Sequence, residues 1–262
     1  MSRTWVTPGA RRVPEVVLAF WVLKLLSTAM GEAASDGLVG TIGPAPAVLV
    51  GFVAFAVVLI RQLRLQRFVA GPYWLTVAMI GVFGTMAADV VHKGFGVAYS
   101  LSSIGYALAL VVIFVVWHRV EGTLSIHSID TTRRELFYWA TVVATFAMGT
   151  AVGDLLAITF GLGYFSSGVV CCVLFAIPMM AYWGRRAPEV TTFWCAYILT
   201  RPLGASFADW AGKSPARGGL GWGDWPVALI LAVLMVVVVR LTARGARGVV
   251  RERSFDRYSA SD

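Results

Sequence analysis

Five acidic side chains stand in stretches that are otherwise apolar. Four are aspartates at one spacing. Asp36, Asp89, Asp154 and Asp209 each follow a glycine by five residues, and Gly31, Gly84, Gly149 and Gly204 each follow a tryptophan by ten. Those tryptophans close the pairs Phe20-Trp21, Tyr73-Trp74, Tyr138-Trp139 and Phe193-Trp194. The fifth acid, Glu32, comes directly after Gly31, where the other copies hold Thr85, Thr150 and Ala205. Glu32 and Asp36 are four residues apart and share a helix face. A carboxylate in a bilayer costs ~2.5–3.5 kcal/mol on insertion scales unless it faces a bundle interior or a wet cavity. Four at one depth therefore point to convergence. Hard cations take oxygen ligands, so Glu32 and the four aspartates form a hypothetical cation site, with Thr85, Thr150 and Ser206 as neutral oxygens. Arg201, three residues before Gly204, is the natural partner of Glu32, because neither has a charged equivalent in the other copies. Five carboxylates against one arginine leave an excess of negative charge, which a cation or protons would balance. His92, three after Asp89, shares its face as a proton partner or ligand. A second reading explains the repetition equally well: each aspartate caps the Gly-rich turn after its helix by binding backbone N–H groups.

The elements that carry these residues are read from the apolar runs. Hydrophobic residues make up 58% of the 262 positions and charged residues 14%, against about 25% charged in a soluble domain. Eight runs are about the ~20 residues needed to cross a bilayer. They cover 16–38, 44–61, 72–92, 100–118, 136–158, 164–183, 189–211 and 225–242. The sequence thus predicts an all-α, polytopic membrane protein of eight transmembrane helices in one membrane domain, 1–262. Residues 1–15 lack a hydrophobic stretch and a small-residue cleavage site, so targeting is expected from the first span. The pattern [FY]-W-x9-G-x4-D recurs four times, giving two-helix repeats at about 13–67, 68–120, 132–186 and 187–243, followed by a basic tail, 244–262. An odd-numbered helix runs from the aromatic pair through Gly to Asp. A Gly-rich turn follows, with Gly43, Gly96 and Gly161 seven residues past the first three aspartates and Gly218, Gly219 and Gly221 in the fourth copy. An even-numbered helix then returns and ends in Arg61, Arg119, Arg185 or Arg240. Two helices per unit give parallel repeats about an axis along the membrane normal, with the odd helices lining the middle.

Of 22 Lys and Arg, 17 lie in the two tails and the loops after spans two, four and six, so both termini are expected in the cytoplasm. The +8 charge is then a basic membrane surface rather than a nucleic-acid footprint, and the arginines after Arg240 read as an anchor on anionic lipid. Lys24, one turn inside the first span, is expected to snorkel to the interface. The Trp ends suit an aromatic belt there. His118 and His127 are expected to be solvated. Cys171, Cys172 and Cys195 fit no disulfide or zinc spacing and read as small apolar fillers. The longest inner loop, Ser125 to Glu135, ends as a helix start with Thr132 near the cap and Glu135 three on, or else serves as a docking or gating loop between the halves. No catalytic or phosphate-loop motif is present, and no cofactor is implied.

The stretches Val13-Pro14-Glu15 to Gly31-Glu32, Leu124 to Asp130 with Gly149 to Asp154, and Arg201 to Asp209 with Gly218-Gly219-Leu220-Gly221 resemble a known family. It comprises bacterial membrane-anchored proteins made of a tandem repeat called domain of unknown function three-four-seven. The resemblance spans nearly the whole chain. It implies repeat architecture and a bacterial inner-membrane location, and no reaction or substrate. The residues themselves give the functional expectation: a small transporter or channel for an inorganic cation, with the lipid bilayer and that cation as partners. The alternative is a structural or regulatory membrane protein whose aspartates fix turns.

Overall fold

The computed structural model describes residues 11–184 and 186–259, with side chains as far as Arg244. Eight α-helices follow in order: α1 Leu18–Ile42, α2 Pro44–Leu63, α3 Ala70–Asp89, α4 Tyr99–Glu121, α5 Thr132–Asp154, α6 Gly163–Trp183, α7 Glu189–Gly212 and α8 Asp224–Ser259. α3 and α5 each end in one π-helical turn, Val90–Gly94 and Leu155–Thr159, directly after their aspartate. Helices are what an apolar chain can form without water, because each satisfies its own backbone polar groups. The turns between them rely on Gly43, Gly96 and Gly161 at φ +83, +68 and +69, a backbone region that side chains disfavour. α8 continues well beyond the expected end at 242, and Arg185 lies outside the described residues.

Six of the eight helices are long and apolar enough to cross a membrane. α1 and α7 are long enough but each carries three charged side chains: Lys24, Glu32 and Asp36, and Glu189, Arg201 and Asp209. These two are also deep in the molecule. α1 packs on α3 and α7, and α5 packs on α3 and α7, so the odd helices close a ring of four. The even helices form an outer layer whose apolar side chains, among them Val53, Leu101, Val173 and Val233, face away from the protein. Each leans chiefly on the odd helix of the next copy: α2 on α3, α4 on α5, α6 on α7, and α8 back on α1.

The repeat glycines explain how closely the ring closes. A Cβ on Gly31 would come within 2.7 Å of Gly81 Cα. One on Gly84 would meet Phe146, one on Gly149 would run into the Arg201 side chain, and one on Gly204 into the Thr28 hydroxyl. Gly81, Phe146, Arg201 and Thr28 all stand three residues before a repeat glycine. Every copy therefore receives the same position of the next copy, and the fourth receives it from the first. Small residues that let backbones approach serve this packing wherever water supplies no drive.

At one end of the ring the aromatic pairs pack on each other. Phe20 contacts Trp74 and Phe193 with ring centroids 5.7 and 5.9 Å apart, and the Tyr73 and Tyr138 hydroxyls share a hydrogen bond. Trp74, Trp139 and Trp194 are buried between helices, so they do not form the lipid-facing belt their spacing suggested. The reason is register: the first member of each pair faces the ring axis and the second wedges between neighbours. Trp194 Nε1 donates to the Leu124 carbonyl at 2.9 Å.

The central loop is held differently from expectation. Thr131, not Thr132, caps α5, accepting from Arg134 N–H at 3.3 Å. Glu135 turns inward, where it is fully buried. Its Oε2 accepts from Arg12 at 2.8 Å, and its Oε1 from Gln62 at 3.1 Å and Trp139 at 3.2 Å. Backbone bonds from Arg12 N–H to the Ile129 carbonyl and from Phe68 N–H to the Arg11 carbonyl tie the N-terminal segment across the same end. Of the histidines, His118 is exposed and His127 meets Glu189 at 2.8 Å. All three cysteines are free, Cys171 buried and the other two exposed.

Candidate functional site

The site lies along one stripe of each odd helix. Counted from the repeat glycine, the positions −11, −7, −3, +1, +5 and +9 are four residues apart, so they follow one ridge of the helix. The −11 layer is Phe20, Tyr73, Tyr138 and Phe193, and the −7 layer is Lys24, Val77, Val142 and Tyr197. Thr28, Gly81, Phe146 and Arg201 follow, then Glu32, Thr85, Thr150 and Ala205. All sixteen residues are buried. The last two layers are the aspartates and then Gly40, Lys93, Ile158 and Lys213.

Arg201 and Glu32 meet in the middle of this stack. Arg201 is 0% exposed and Glu32 5%. Arg201 Nη2 donates to Glu32 Oε2 at 2.5 Å, to Thr150 Oγ1 at 2.8 Å and to Thr85 Oγ1. Its Nη1 reaches the Thr28 carbonyl at 3.4 Å, and Thr85 Oγ1 donates to Glu32 at 3.3 Å. Three copies thus offer their +1 residue to a guanidinium from the fourth, whose own +1 residue, Ala205, leaves space. Ser206 is buried with an unpartnered hydroxyl and does not join this group.

Beyond Glu32 the ring opens into a cavity of about 450 Å³. Glu32, Asp36, Asp154, Asp209, Lys93 and Lys213 line it, with Arg217 and Asp224 at the rim. Glu32, Asp36 and Asp209 each place one carboxylate oxygen within 4.8 Å of the others, an arrangement able to coordinate a cation. Asp89 turns aside and pairs with Lys93 at 2.8 Å. Asp154 has no hydrogen-bond or ionic partner among the described residues. His92 is carried away from Asp89 by the π turn. It packs on Tyr99 and approaches Ser102 Oγ at 3.2 Å.

Two expectations change here. None of the four aspartate carboxylates accepts a backbone N–H among the described residues, so they are not turn caps. The turns are made by glycine conformation instead. The charge excess is also smaller than five against one. Lys213 reaches Asp36, Asp209 at 3.7 Å and Asp224 at 3.1 Å. Burial alone would lower the Lys213 pKa, but the carboxylates of Asp36, then Asp209 and Asp224, outweigh it and hold the group above the ordinary lysine range. Lys93 and Lys213 were not among the expected site residues, although a signal for them exists: each lies four residues after a repeat aspartate, the spacing of an intrahelical ion pair. Asp224 has no such signal. It is delivered by the loop after α7, which folds back through bonds such as Leu220 N–H to the Trp210 carbonyl at 2.7 Å and Gly221 N–H to the Lys213 carbonyl at 2.8 Å.

Lys24 does not snorkel. It is 1% exposed, and its ammonium lies 4.1 Å from the Phe146 ring centre and 4.2 Å from that of Tyr197. Its position, −7 from the glycine, faces the axis rather than the perimeter.

The repeat family described as Repeat of Unknown Function (DUF347) matches the chain four times, at residues 19–68, 72–123, 137–187 and 192–247. Comparison with curated proteins and comparison with solved structures gave no match.

Proposed function

We propose, for a chain that belongs to the DUF347 repeat family, an eight-span membrane carrier that binds an inorganic cation in the acidic cavity. One observation carries this reading: Glu32, Asp36 and Asp209 bring their oxygens within 4.8 Å of one another where a cavity opens. Carboxylates that only fixed turns would lie apart, each on its own backbone. In this reading α1 and α7 also cross the bilayer, their charges turned to the ring axis where lipid cannot reach them. The repeats relate by rotation about the membrane normal. Supporting this, equivalent positions of successive copies meet, aromatic pair against aromatic pair and glycine against the −3 residue. The apolar outer faces of the even helices suit lipid. The family resemblance and the basic loops favour a bacterial inner membrane with both termini in the cytoplasm.

A carrier fits better than an open channel, because the axis below the cavity is filled in four successive layers. The Lys213 ammonium and a bound cation compete for Asp36 and Asp209, so the cation displaces it towards Asp224. The test is thermal unfolding of the purified protein in detergent with a panel of monovalent and divalent cations, alongside flux in liposomes. A ligand at a hundred times its dissociation constant stabilises by about 2.7 kcal/mol. The favoured ion is expected to raise the wild-type melting temperature by several degrees. Asp154→Asn and Asp36→Asn should weaken that rise and the flux, and Lys213→Met should shift the response to lower ion concentration. A panel without any stabilising cation, with no flux in liposomes, overturns the reading.

A further inference from the structure

Among the described residues, Lys24 stands in the filled part of the axis with no opposite charge beside it. Its ammonium is buried and has no hydrogen-bond acceptor among the described residues. The neighbouring cation, Arg201, is already matched by Glu32 at 2.5 Å. What surrounds Lys24 is aromatic: the faces of Phe146 from α5 and Tyr197 from α7, at 4.1 and 4.2 Å. The Tyr197 hydroxyl is likewise without a partner. The equivalent positions in copies two, three and four hold Val77, Val142 and Tyr197, so three of the four −7 positions do not need a charge. Aromatic faces carry negative potential, and they recognise ammonium groups by it, most strongly where water is excluded.

We infer that Phe146 and Tyr197 form an aromatic cation site on the ring axis, filled by the protein's own Lys24 ammonium, whose external ligand class is primary alkylammonium. The side chain acts there as a tethered occupant. It lies one layer below Arg201, and together the two cations close the axis beneath the acidic cavity. Arg201 shares the same ring, its Cζ 5.2 Å from the Phe146 centre. The site is assigned independently of what the cavity binds.

Chemical rescue tests it. Lys24→Ala removes the tether and leaves the box. In the purified full chain, n-butylammonium is expected to raise the melting temperature of Lys24→Ala by about 4 °C or more, the scale of a ~1 kcal/mol change or larger. It should do so well beyond any effect on wild type. The neutral isostere n-butanol should not. An equal rise with n-butanol, no rise with either, or the same rise in wild type overturns the assignment. Should Lys24→Ala not fold, Lys24→Met keeps the volume. In a cycle with Phe146→Leu, loss of the ring should then lower the melting temperature more with Lys24 present than with methionine. Strict additivity overturns the box. Neither arm depends on the inorganic cations that test the cavity, so the two readings fail separately.

Discussion

At the scale of single residues, the Glu32–Arg201 pair shows how a charge survives at the centre of the molecule. Desolvating two ions is costly, and their attraction offsets that cost when the remaining donors and acceptors are also satisfied. Thr85, Thr150 and the Thr28 carbonyl supply partners for Nη1 and Nη2, while Nε is buried without one among the described residues. Removing one member strands the other. Glu32→Gln or Arg201→Gln alone is therefore expected to cost about 3–5 kcal/mol. The double swap, Glu32→Arg with Arg201→Glu, should recover part of the loss, because both charges are again paired. Unfolding midpoints of the two single changes and the swap in detergent measure this, and purely additive damage argues against direct pairing. Asp154 behaves differently. No partner is stranded when it becomes asparagine, so the change should leave stability near wild type while altering the response to cations.

At the scale of elements, the repeat glycines determine how the odd helices meet. Glycine weakens a helix interior by about 1 kcal/mol relative to alanine, and its recurrence is explained by what lies beside it. Gly31 faces backbone atoms of Gly81, which cannot rotate away as a side-chain end could. Gly31→Ala is expected to destabilise by about 1–3 kcal/mol through overpacking. Gly105, in α4, has nothing within 4 Å of an added Cβ. Gly105→Ala should be neutral or stabilise by up to about 1 kcal/mol. Thermal unfolding of the two variants side by side checks the contrast, and a matching loss in both would mean that the close approach of α1 and α3 is not what the glycine serves. The π turns after Asp89 and Asp154 are the other element-scale device. They change the helical register directly after each aspartate, so His92, three residues past Asp89, packs on Tyr99, while Asp154, before its π turn, lines the cavity.

At the scale of the whole molecule, the ring closes because α7 packs on α1, with α8 returning to α1 outside it. The contact of α7 with α1 brings Asp36 and Asp209 around one lysine although they lie at opposite ends of the sequence. In the proposed membrane arrangement the acidic cavity opens on the outer face, opposite the end where the N-terminal segment is tied to Glu135. Ser214 is exposed beside the cavity. In a background lacking the three native cysteines, a cysteine replacing Ser214 should react with an impermeant thiol reagent added to intact cells. Reaction only after the membrane is opened would invert the topology and place the cavity inside.

The sequence by itself determined the repeat, the helices and the level of each stripe residue along its helix. Constant spacing on a helix of fixed rise leaves no freedom there. It also made Glu32 and Arg201 complementary, because each is the charged exception at its position, and it carried the Asp–Lys spacings of Lys93 and Lys213. Tertiary structure alone decided which neighbour each helix meets. The even helices are apolar on all sides, so no stripe in the sequence says that α2 prefers α3 to α1. The burial of Lys24 was decided at the same level, since an interfacial lysine and an axial one look alike until the ring closes around them. Asp224 joined the cavity only through the fold of the loop after α7, whose glycines at φ +81, +78 and +86 permit many paths until contacts select one.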